Sequence, residues 1–465
     1  MNEFVTLIKP ELIITVIIFL LLFIKIGKGL KNDTMLLLIQ ILLLLNFVAG
    51  FFFNAEGNLF GGMYQTTAAI ALQKNILNLG VYLISLLFAG WFKRSEHMPE
   101  FFMLMLSALL GMFFLISSGN LLMFFLSLEL ATIPVAAMCN FDLDKKISSE
   151  AAMKMILTSA FSSAILLFGI SLIYGATGTI SFAELPQYLN GSPLQVMVLV
   201  FLFSGFAFKL SIVPFHLWTA DVYEGSPIAT TSFLSVISKG AVAFIFMATL
   251  YKVFQPMHET WYNLVMILSI ATMVIGNLFA LRQQNIKRFL AFSSIAQVGF
   301  ILVGISSNSI EGTTSVVYFI LIYIFSNLAA FGVSAAISSQ TGKENIDDYK
   351  GLYQTNPFLS WVLALALFSL AGIPPTAGFF GKLFLLTAGA AKGSYLFITI
   401  AALNMIISLF YYLRVIRAVF MEKNEQPVEK INIDLSAKLG LLICGAGIVL
   451  TGLLSWVYDY IQSLV

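Results

Sequence analysis

Charged residues are scarce in this sequence. Lys, Arg, Asp and Glu make up 10% of its 465 residues and hydrophobic residues 59%, whereas an average soluble domain carries about 25% charged residues. So few charges cannot cover a surface that faces water. A bilayer accepts apolar helices of about 20 residues, because their backbone groups are satisfied internally. The composition therefore predicts an all-α integral membrane protein.

Residues that bind metals and redox cofactors are scarce as well. The chain has two cysteines, Cys139 and Cys444, and they stand alone in apolar sequence without a CxxC motif or a Cys/His cluster. No dinucleotide-binding GxGxxG motif occurs in a strand-turn-helix context. The net charge of +2 is small and the basic residues are scattered, which excludes a nucleic-acid partner. We expect no cofactor in this chain, and the lipid bilayer is the partner that the composition identifies.

Apolar runs separated by polar breaks predict about fourteen membrane spans. Their predicted ranges are 11–26, 34–53, 73–92, 101–118, 120–140, 150–174, 195–218, 227–251, 261–282, 286–306, 313–338, 358–391, 394–421 and 438–458.

The distribution of basic residues predicts the orientation. Lys and Arg accumulate in cytoplasmic loops. If the amino terminus lies outside, most of the basic residues fall on the cytoplasmic side, and the outer loops hold Lys9, Lys74, Lys252 and Lys392. Both termini are therefore predicted to face outward.

Apart from those at span ends, five ionisable residues fall inside predicted spans, where each costs at least ~2.5 kcal/mol at mid-bilayer. They are Glu129, Lys154, Lys209, Lys239 and Lys382. A functional role is the interpretation that we favour for Glu129 and Lys239. The alternative is a structural ion pair that fixes helix packing. Lys154 lies close to a span end, and its side chain can alternatively reach the headgroups.

Two spans contain helix-breaking prolines at membrane depth. Lys209 precedes Pro214 in "LSIVP", and "LAGIP" ends at Pro374 ahead of Lys382. The two similar segments lie five spans apart, and an odd offset reverses the direction through the membrane. Paired broken helices of opposite direction are typical of an inverted repeat with an ion site at mid-depth. The alternative is a pair of ordinary kinks.

His216 is a candidate proton relay. It lies between the first break and the acidic segment with Asp221 and Glu224, and histidine titrates near neutral pH. His97 and His258 fall at span ends and are interpreted as surface residues.

Four polar motifs resemble the antiporter-like membrane subunits of respiratory complex I, of the NuoN type. They are "EAAMK", "DVYEGSP", "NIKRFLAFSSIAQVGF" and "SLAGIPPTAGFFGK". The resemblance runs from about residue 100 to 420. The lysine after "GFFG" favours the NuoN type over NuoM, and the chain stops too early for NuoL with its lateral helix.

The resemblance implies a fold and a set of roles. Three helices in 1–99 precede two inverted five-helix repeats at 100–255 and 256–421, with broken helices in spans seven and twelve, and a last helix lies in 422–465. By likeness, Glu129 pairs with Lys209, Lys154 and Lys239 continue the polar axis, and Lys382 faces the outer exit or a neighbouring subunit. Two positions depart from the family, because Gln297 stands where many relatives have histidine and Ala220 where proline is usual.

The implied function is proton translocation from the cytoplasm to the exterior, coupled to quinone reduction elsewhere in the complex. The chain would then be a subunit of an NADH:quinone oxidoreductase in a bacterial inner membrane, beside antiporter-like neighbours. NADH and quinone would be used by the whole complex, and this chain would hold no redox centre. Two alternatives remain open: a sodium/proton antiporter subunit of the Mrp type, and a non-conducting scaffold. The hydroxyls expected to hold connecting waters are those of Thr158, Ser162, Ser204, Ser235 and Ser238.

Overall fold

A computed structural model describes residues 2–27, 29–52, 55–391, 393–424 and 427–465. Lys392, which the count of basic residues placed in an outer loop, lies outside the described residues. The helices are α1 (Asn2–Leu7), α2 (Lys9–Ile26), α3 (Asn32–Ala49), α4 (Ala68–Leu87), α5 (Ala89–Arg94), α6 (Met98–Ile116), α7 (Leu121–Cys139), α8 (Lys146–Thr177), α9 (Pro193–Leu210), α10 (Leu217–Gly225), α11 (Ile228–Ser232), α12 (Lys239–Lys252), α13 (His258–Arg282), α14 (Ile286–Ser306), α15 (Ile310–Thr341), α16 (Leu352–Thr355), α17 (Pro357–Ala371), α18 (Ala377–Ala390), α19 (Tyr395–Phe420), α20 (Leu435–Leu453) and α21 (Trp456–Leu464).

Short elements connect these helices. A π-helical turn, Phe233–Ser238, joins α11 to α12, so that the three form one continuous span. The strands β1 (Gly57–Leu59) and β2 (Tyr64–Thr66) pair antiparallel, with Gly57 opposite Thr66. Single 3-10 turns occupy Phe60–Gly62, Leu185–Tyr188, Gln255–Met257 and Ile346–Tyr349.

The helices that could cross a membrane are consistent in number with the predicted spans. Among the described residues, twelve helical segments are long and apolar enough to cross a membrane. The shorter apolar helices α17 and α18 flank a break. Helix α2 has 18 residues and carries Lys9, Glu11 and Lys25. Together they are consistent with about fourteen crossings.

The centre of the bundle is formed by α14 and α15. The most apolar window of α14 is entirely buried and that of α15 is 94% buried, whereas the corresponding figures for α8 and α19 are 39% and 33%. Helices α8 and α19 therefore lie at the periphery, and polar side chains in the apolar part of α14, such as Gln297, lie in the interior of the protein.

Two groups of helices share the same capping residues and helix lengths. Asn120 caps α7 by accepting from the Met123 amide, and Asn285 caps α14 by accepting from the Lys287 amide. Such side chains satisfy amides that the first helical turn leaves unpaired. The following long helices, α8 and α15, have 32 residues each and end at a left-handed glycine. The two groups, α6 to α12 and α13 to α19, therefore correspond element by element.

The two breaks are also equivalent, with a register that corrects the sequence comparison by one residue. Helix α9 ends before left-handed Ser211 (φ 63°) and α17 before left-handed Gly372 (φ 86°). In each case a cis proline peptide follows at the same distance, at Pro214 and at Pro375. Pro214 thus corresponds to Pro375 and not to Pro374, because the left-handed residue that ends the helix sets the register.

Candidate functional site

Lys209 is the last residue but one of α9, the helix that ends at the first break. Its side chain is buried, with 6% of the residue exposed. The ammonium donates to Thr132 Oγ1 at 2.6 Å and to Ser159 Oγ at 2.7 Å. The charge is thus held by hydroxyls from α7 and α8, as a buried ammonium requires.

Glu129 does not form the direct ion pair with Lys209 that the family likeness implies. Its Oε1 atom accepts from Ser163 Oγ at 2.5 Å, and the carboxylate is partly exposed. Ser163 lies one helical turn after Ser159, which binds Lys209. The carboxylate and the ammonium are therefore held by two serines of α8 that lie one helical turn apart.

A small cavity connects Lys209 with the next charged helix. Its volume is about 10 Å³ and its lining includes Thr132, Lys209 and Ser238. That volume is close to the minimum for one water molecule. Ser238 directly precedes Lys239, which is 2% exposed and donates to Ser294 Oγ at 2.8 Å. The cavity thus lies between the first lysine and the start of α12.

Lys382 is completely buried in the second broken helix. Its ammonium donates to the carbonyl oxygens of Leu370 at 2.7 Å and Ala371 at 3.3 Å, and it lies 4.7 Å from the centre of the Phe300 ring. The break frees these carbonyls, because the residues that would bond to them in a continuous helix are no longer helical. The break itself therefore supplies the acceptors for this charge.

Side chains of α14 fill the space between Lys239 and Lys382. Gln297, one turn after Ser294, donates to the Leu370 carbonyl at 3.0 Å and to Tyr412 Oη at 3.1 Å. The carbonyl of Leu370 thus accepts from both Gln297 and Lys382. Gln297, which stands where many relatives have histidine, thus donates two hydrogen bonds beside Lys382.

Several polar atoms along this stretch have no protein partner. The hydroxyls of Tyr223 and Tyr323 face Ser294, yet neither forms a well-aligned hydrogen bond within the protein. The Oε1 atom of Gln297 is likewise buried without a partner. Buried polar atoms of this kind are the sites at which proteins hold internal water.

Lys154 does not lie on this buried line. Its side chain is 40% exposed and pairs with Asp221 at 2.6 Å and Glu150 at 2.7 Å. Asp221 also binds Arg288 at 2.8 Å, and Arg288 binds Glu224 at 2.7 Å. We call these five residues the surface ion cluster. They border a cavity of about 220 Å³ at the surface that the sequence predicts to be cytoplasmic.

Electrostatics keep the centre of the surface ion cluster charged. Burial alone raises the pKa of Asp221, but hydrogen bonds from Lys154 and Arg288 outweigh this and hold its pKa below the ordinary value of 3.8. The cluster joins α8 and α10 of the first repeat to α14 of the second, so it bridges the two repeats.

His216 occupies the break itself, at the residue before α10, where its side chain forms no capping hydrogen bond. It is 7% exposed, and its Nδ1 atom has no hydrogen-bond partner. Among the described residues, none of the four lysines on which the prediction rests hydrogen-bonds to His216. The histidine lies between Lys209 and the surface ion cluster along the chain, and its role as a relay stays a prediction.

Of the five predicted hydroxyls, Ser238 lines the cavity beside Lys209, and on α8 the residues that bind the charges each follow a predicted position by one. Ser159 and Ser163 bind the charges, whereas Thr158 is exposed and bonds back to the Lys154 carbonyl. Ser204 and Ser235 donate to backbone carbonyls of their own helices. Sequence position alone could not fix the face of α8, because its hydrophobic pattern is weak and both faces are apolar.

Two groups of residues were missed. The first is Ser293 and Ser294, polar residues beside Gln297 on a wholly buried span, which are a signal that the sequence offers. The second group is a buried ion pair, in which Lys74 Nζ lies 2.6 Å from Glu11 Oε1. Lys74, which the count of basic residues placed on the outer side, is 1% exposed within α4. Within the described residues no group of three or more His, Cys, Asp or Glu side chains is arranged to hold a metal ion.

Known proteins resemble this chain in both sequence and fold. The family model described as "NADH:quinone oxidoreductase/Mrp antiporter, TM" matches residues 118–408. The NADH-quinone oxidoreductase subunit N of Phocaeicola vulgatus is 50% identical over 412 residues, which cover 88% of this chain and 87% of that protein.

Solved structures show the same fold. A chain of respiratory complex I from Thermus thermophilus superposes with a TM-score of 0.82 at 27% identity, covering 97% of this chain and 98% of that one. A chain of the Mrp complex from Dietzia superposes with a TM-score of 0.86 at 19% identity, covering 98% and 96%. At that identity the second likeness is one of fold alone.

Proposed function

The chain belongs to the family of NADH:quinone oxidoreductase and Mrp antiporter membrane proteins, and from that premise we propose that it is the proton-translocating subunit N of an NADH:quinone oxidoreductase. Its likeness over most of both chains to a subunit N supports the assignment to that complex. Other membrane subunits of the complex are then its partners, and NADH and quinone are used elsewhere in the assembly.

The observation that carries the proposal is the set of three buried ammonium groups, one beside each break and one on the span between them. Lys209, Lys239 and Lys382 are 6%, 2% and 0% exposed. No carboxylate lies within ion-pair distance of any of them in the described part of the chain, and hydroxyls and freed carbonyls take that place. Ionisable groups that a membrane protein buries in this way are functional by default.

Proton movement follows from the chemistry of these groups. Burial disfavours the ammonium form of a lysine, and a nearby carboxylate favours it. A change in the distance between Glu129 and Lys209 would therefore switch Lys209 between holding and releasing a proton. The released proton passes to Lys239 and then to Lys382 through hydroxyls and internal water. The redox energy of the complex drives the change at Glu129.

The surroundings of this line complete the proposal. The surface ion cluster with Lys154 forms the cytoplasmic approach, and His216 relays protons between that surface and Lys209. The repeats extend over 100–255 and 256–421, preceded by 1–99 and followed by 422–465. The chain lies in a bacterial inner membrane with both termini outside, as the distribution of basic residues indicates.

The test is the number of protons pumped per electron in the assembled complex in liposomes. Lys209→Ala and Glu129→Ala are expected to lower it while NADH oxidation continues. Lys252→Ala, which removes an exposed lysine at the end of the neighbouring span, is the matched control. Unchanged pumping in Lys209→Ala would contradict the proposal.

The Mrp-type alternative rests on the shared fold, since the Mrp chain superposes with a TM-score of 0.86. The two functions differ in what the isolated chain can do. Exchange of sodium for protons by the purified chain alone in liposomes would favour the antiporter. A scaffold would instead keep pumping intact when all the buried lysines are replaced, and lose only assembly.

A further inference from the structure

A second buried ion pair lies in the three amino-terminal spans, away from the line of lysines. Glu11 of α2 and Lys74 of α4 are 2% and 1% exposed, and their charged atoms are 2.6 Å apart. Tyr64 of β2 joins them, donating to Glu11 Oε2 at 3.1 Å and accepting from Lys74 Nζ at 3.1 Å. Three separate elements thus converge on one ion pair.

Packing alone gives no reason for this arrangement. Desolvating two charges costs as much as their attraction returns, and apolar residues of similar size commonly serve stability as well or better. The ring of Phe113 covers Lys74 on the α6 side at 5.9 Å from its Nζ atom. The environment is therefore dry on that side, where a proton on Lys74 has no exit.

The opposite side of Lys74 is polar and opens toward the surface at which Lys9 lies. A cavity of about 10 Å³, close to the minimum for one water, is lined by both lysines and by Asn46, Asn75 and Asn78. Asn46 donates to Asn78 at 2.8 Å. Asn75 is 2% exposed, and its Oδ1 atom is buried without a hydrogen-bond partner. The cavity therefore offers an acceptor to a water beside Lys74.

Helix α4 also reaches the central line. Leu77, one turn after Lys74, packs against Gly240, and Gly240 directly follows Lys239. The ion pair thus lies about one helical turn from the level of Lys239, displaced toward the end of α4 that is predicted to face outward.

We propose that Glu11, Lys74 and Tyr64 form a second proton-exchange site, which opens through the asparagine-lined cavity to the membrane face at which Lys9 lies. The proposal rests on the proposed function. One proton moves from Lys74 Nζ to Glu11 Oε1, which leaves a neutral amine and a neutral carboxylic acid. A hydronium ion in the cavity then protonates the amine, so that the site holds one extra proton. Lys74, which lines the cavity, later gives a proton back to the cavity water, and the acid passes its own proton to the amine, which restores the ion pair. Of the other groups beside the pair, Phe113 and the cavity asparagines carry no charge, and Lys9, which also lines the cavity, is basic.

The first test compares variants in the assembled complex. Glu11→Gln, Lys74→Met and the doubly apolar Glu11→Leu/Lys74→Met are expected to lose protons pumped per electron while NADH oxidation continues. Lys31→Met, an exposed lysine at the other end of the same spans, is the control. If the double variant assembles and pumps like the wild type, the pair serves packing and the inference is overturned.

A steric variant tests the cavity without altering any charge. A Cβ at Gly50 would collide with the Asn75 side chain, so Gly50→Ala closes the cavity. Gly90→Ala, whose Cβ meets open space, is the matched control. We expect Gly50→Ala to lower pumping and Gly90→Ala to leave it unchanged. Equal pumping in both variants would overturn the inference even if the charge variants fail to assemble.

Infrared difference spectra during turnover separate this inference from the proposed function. A protonated Glu11 gives a carboxylic acid band that is absent from Glu11→Gln and retained in Lys31→Met. If Lys209→Ala loses pumping but no band depends on Glu11, the second site fails and the proposed function stands. If Lys209→Ala pumps normally, both fail.

Discussion

Leu370 occupies in the second repeat the position that Lys209 holds in the first, and its carbonyl oxygen accepts a hydrogen bond of 2.7 Å from Lys382. Each residue stands two positions before the left-handed residue that ends its helix. The first repeat places an ammonium at this point, whereas the second brings an ammonium to the same point from the other side of its break. Each break therefore holds one buried ammonium. In the first repeat it belongs to the helix before the break, and in the second repeat to the helix after it.

Gln297 is expected to couple Lys382 to the rest of the line, because it shares the Leu370 carbonyl with that lysine. Gln297→Leu removes two hydrogen bonds, each worth about 1 kcal/mol net. We expect the proton flux through the chain to fall by about fivefold to tenfold, measured as pumping rate in liposomes. Gln40→Leu removes a buried glutamine that likewise donates to a carbonyl at 3.0 Å, away from the line. Equal effects of the two variants would show that Gln297 acts on packing alone.

The hydroxyls that hold Lys209 give a second prediction. Thr132→Val with Ser159→Ala leaves the ammonium buried without its two acceptors, at a cost of about 1–3 kcal/mol for each unsatisfied group. Lys209 should then be driven to its neutral form, and pumping should fall by at least about tenfold. The measurement is again protons per electron in the assembled complex. Thr158→Ala, on the exposed side of α8, should have no effect, and a loss in that variant would contradict the structural assignment.

The contrast between Ser159 and Thr158 also shows which features could be predicted from the sequence alone. Apolar length predicts the spans, and the prolines at 214 and 375 predict the breaks, because both effects act on the local backbone. Buried lysines stand out because they are costly. The helical face of Ser159 and the partner of Glu11 could not be predicted, since they depend on how separate helices pack. Lys74 lies near the start of its span, and only the tertiary structure covers it.

The surface ion cluster gives a prediction about pH. The pKa of Asp221 is held below its ordinary value of 3.8 by Lys154 and Arg288. A lowered carboxyl pKa contributes stability at higher pH that is lost only as the pH falls through the folded-state pKa. Asp221 therefore stays charged between about pH 5 and 8, and the pumping rate should show no inflection from it in that range.

Asp221→Asn removes this charge at every pH. Because the side chain is 36% exposed, the loss of folding free energy should be about 1 kcal/mol or less. The effect expected is instead a lower pumping rate across the whole pH range, because the approach to the line loses its central carboxylate. Asp142→Asn, which breaks a local pair with Lys145 on the same surface, is the control. If the pumping rate of the wild type showed an inflection near neutral pH that is absent from Asp221→Asn, Asp221 would titrate in that range, which would contradict a lowered pKa.

The close approach of helices within each repeat gives the last prediction. A Cβ on Gly111 of α6 would lie 2.5 Å from the Ala131 backbone nitrogen of α7, and one on Gly276 of α13 would lie 2.7 Å from the equivalent nitrogen of Ala296. Because these neighbours are backbone atoms, the helices must move apart to admit a side chain. Overpacking of this kind costs about 1–3 kcal/mol.

Gly111→Ala and Gly276→Ala should therefore lower the thermal stability of the assembled complex by similar amounts, and Gly175→Ala should not. Gly175 lies within α8, where an added Cβ meets open space. The substitution there also favours the helix by up to about 1 kcal/mol, so a small rise in stability is expected. The check is the melting temperature of each purified variant complex. A loss in Gly111→Ala without one in Gly276→Ala would show that the two repeats do not share this contact in solution, whatever their likeness in structure.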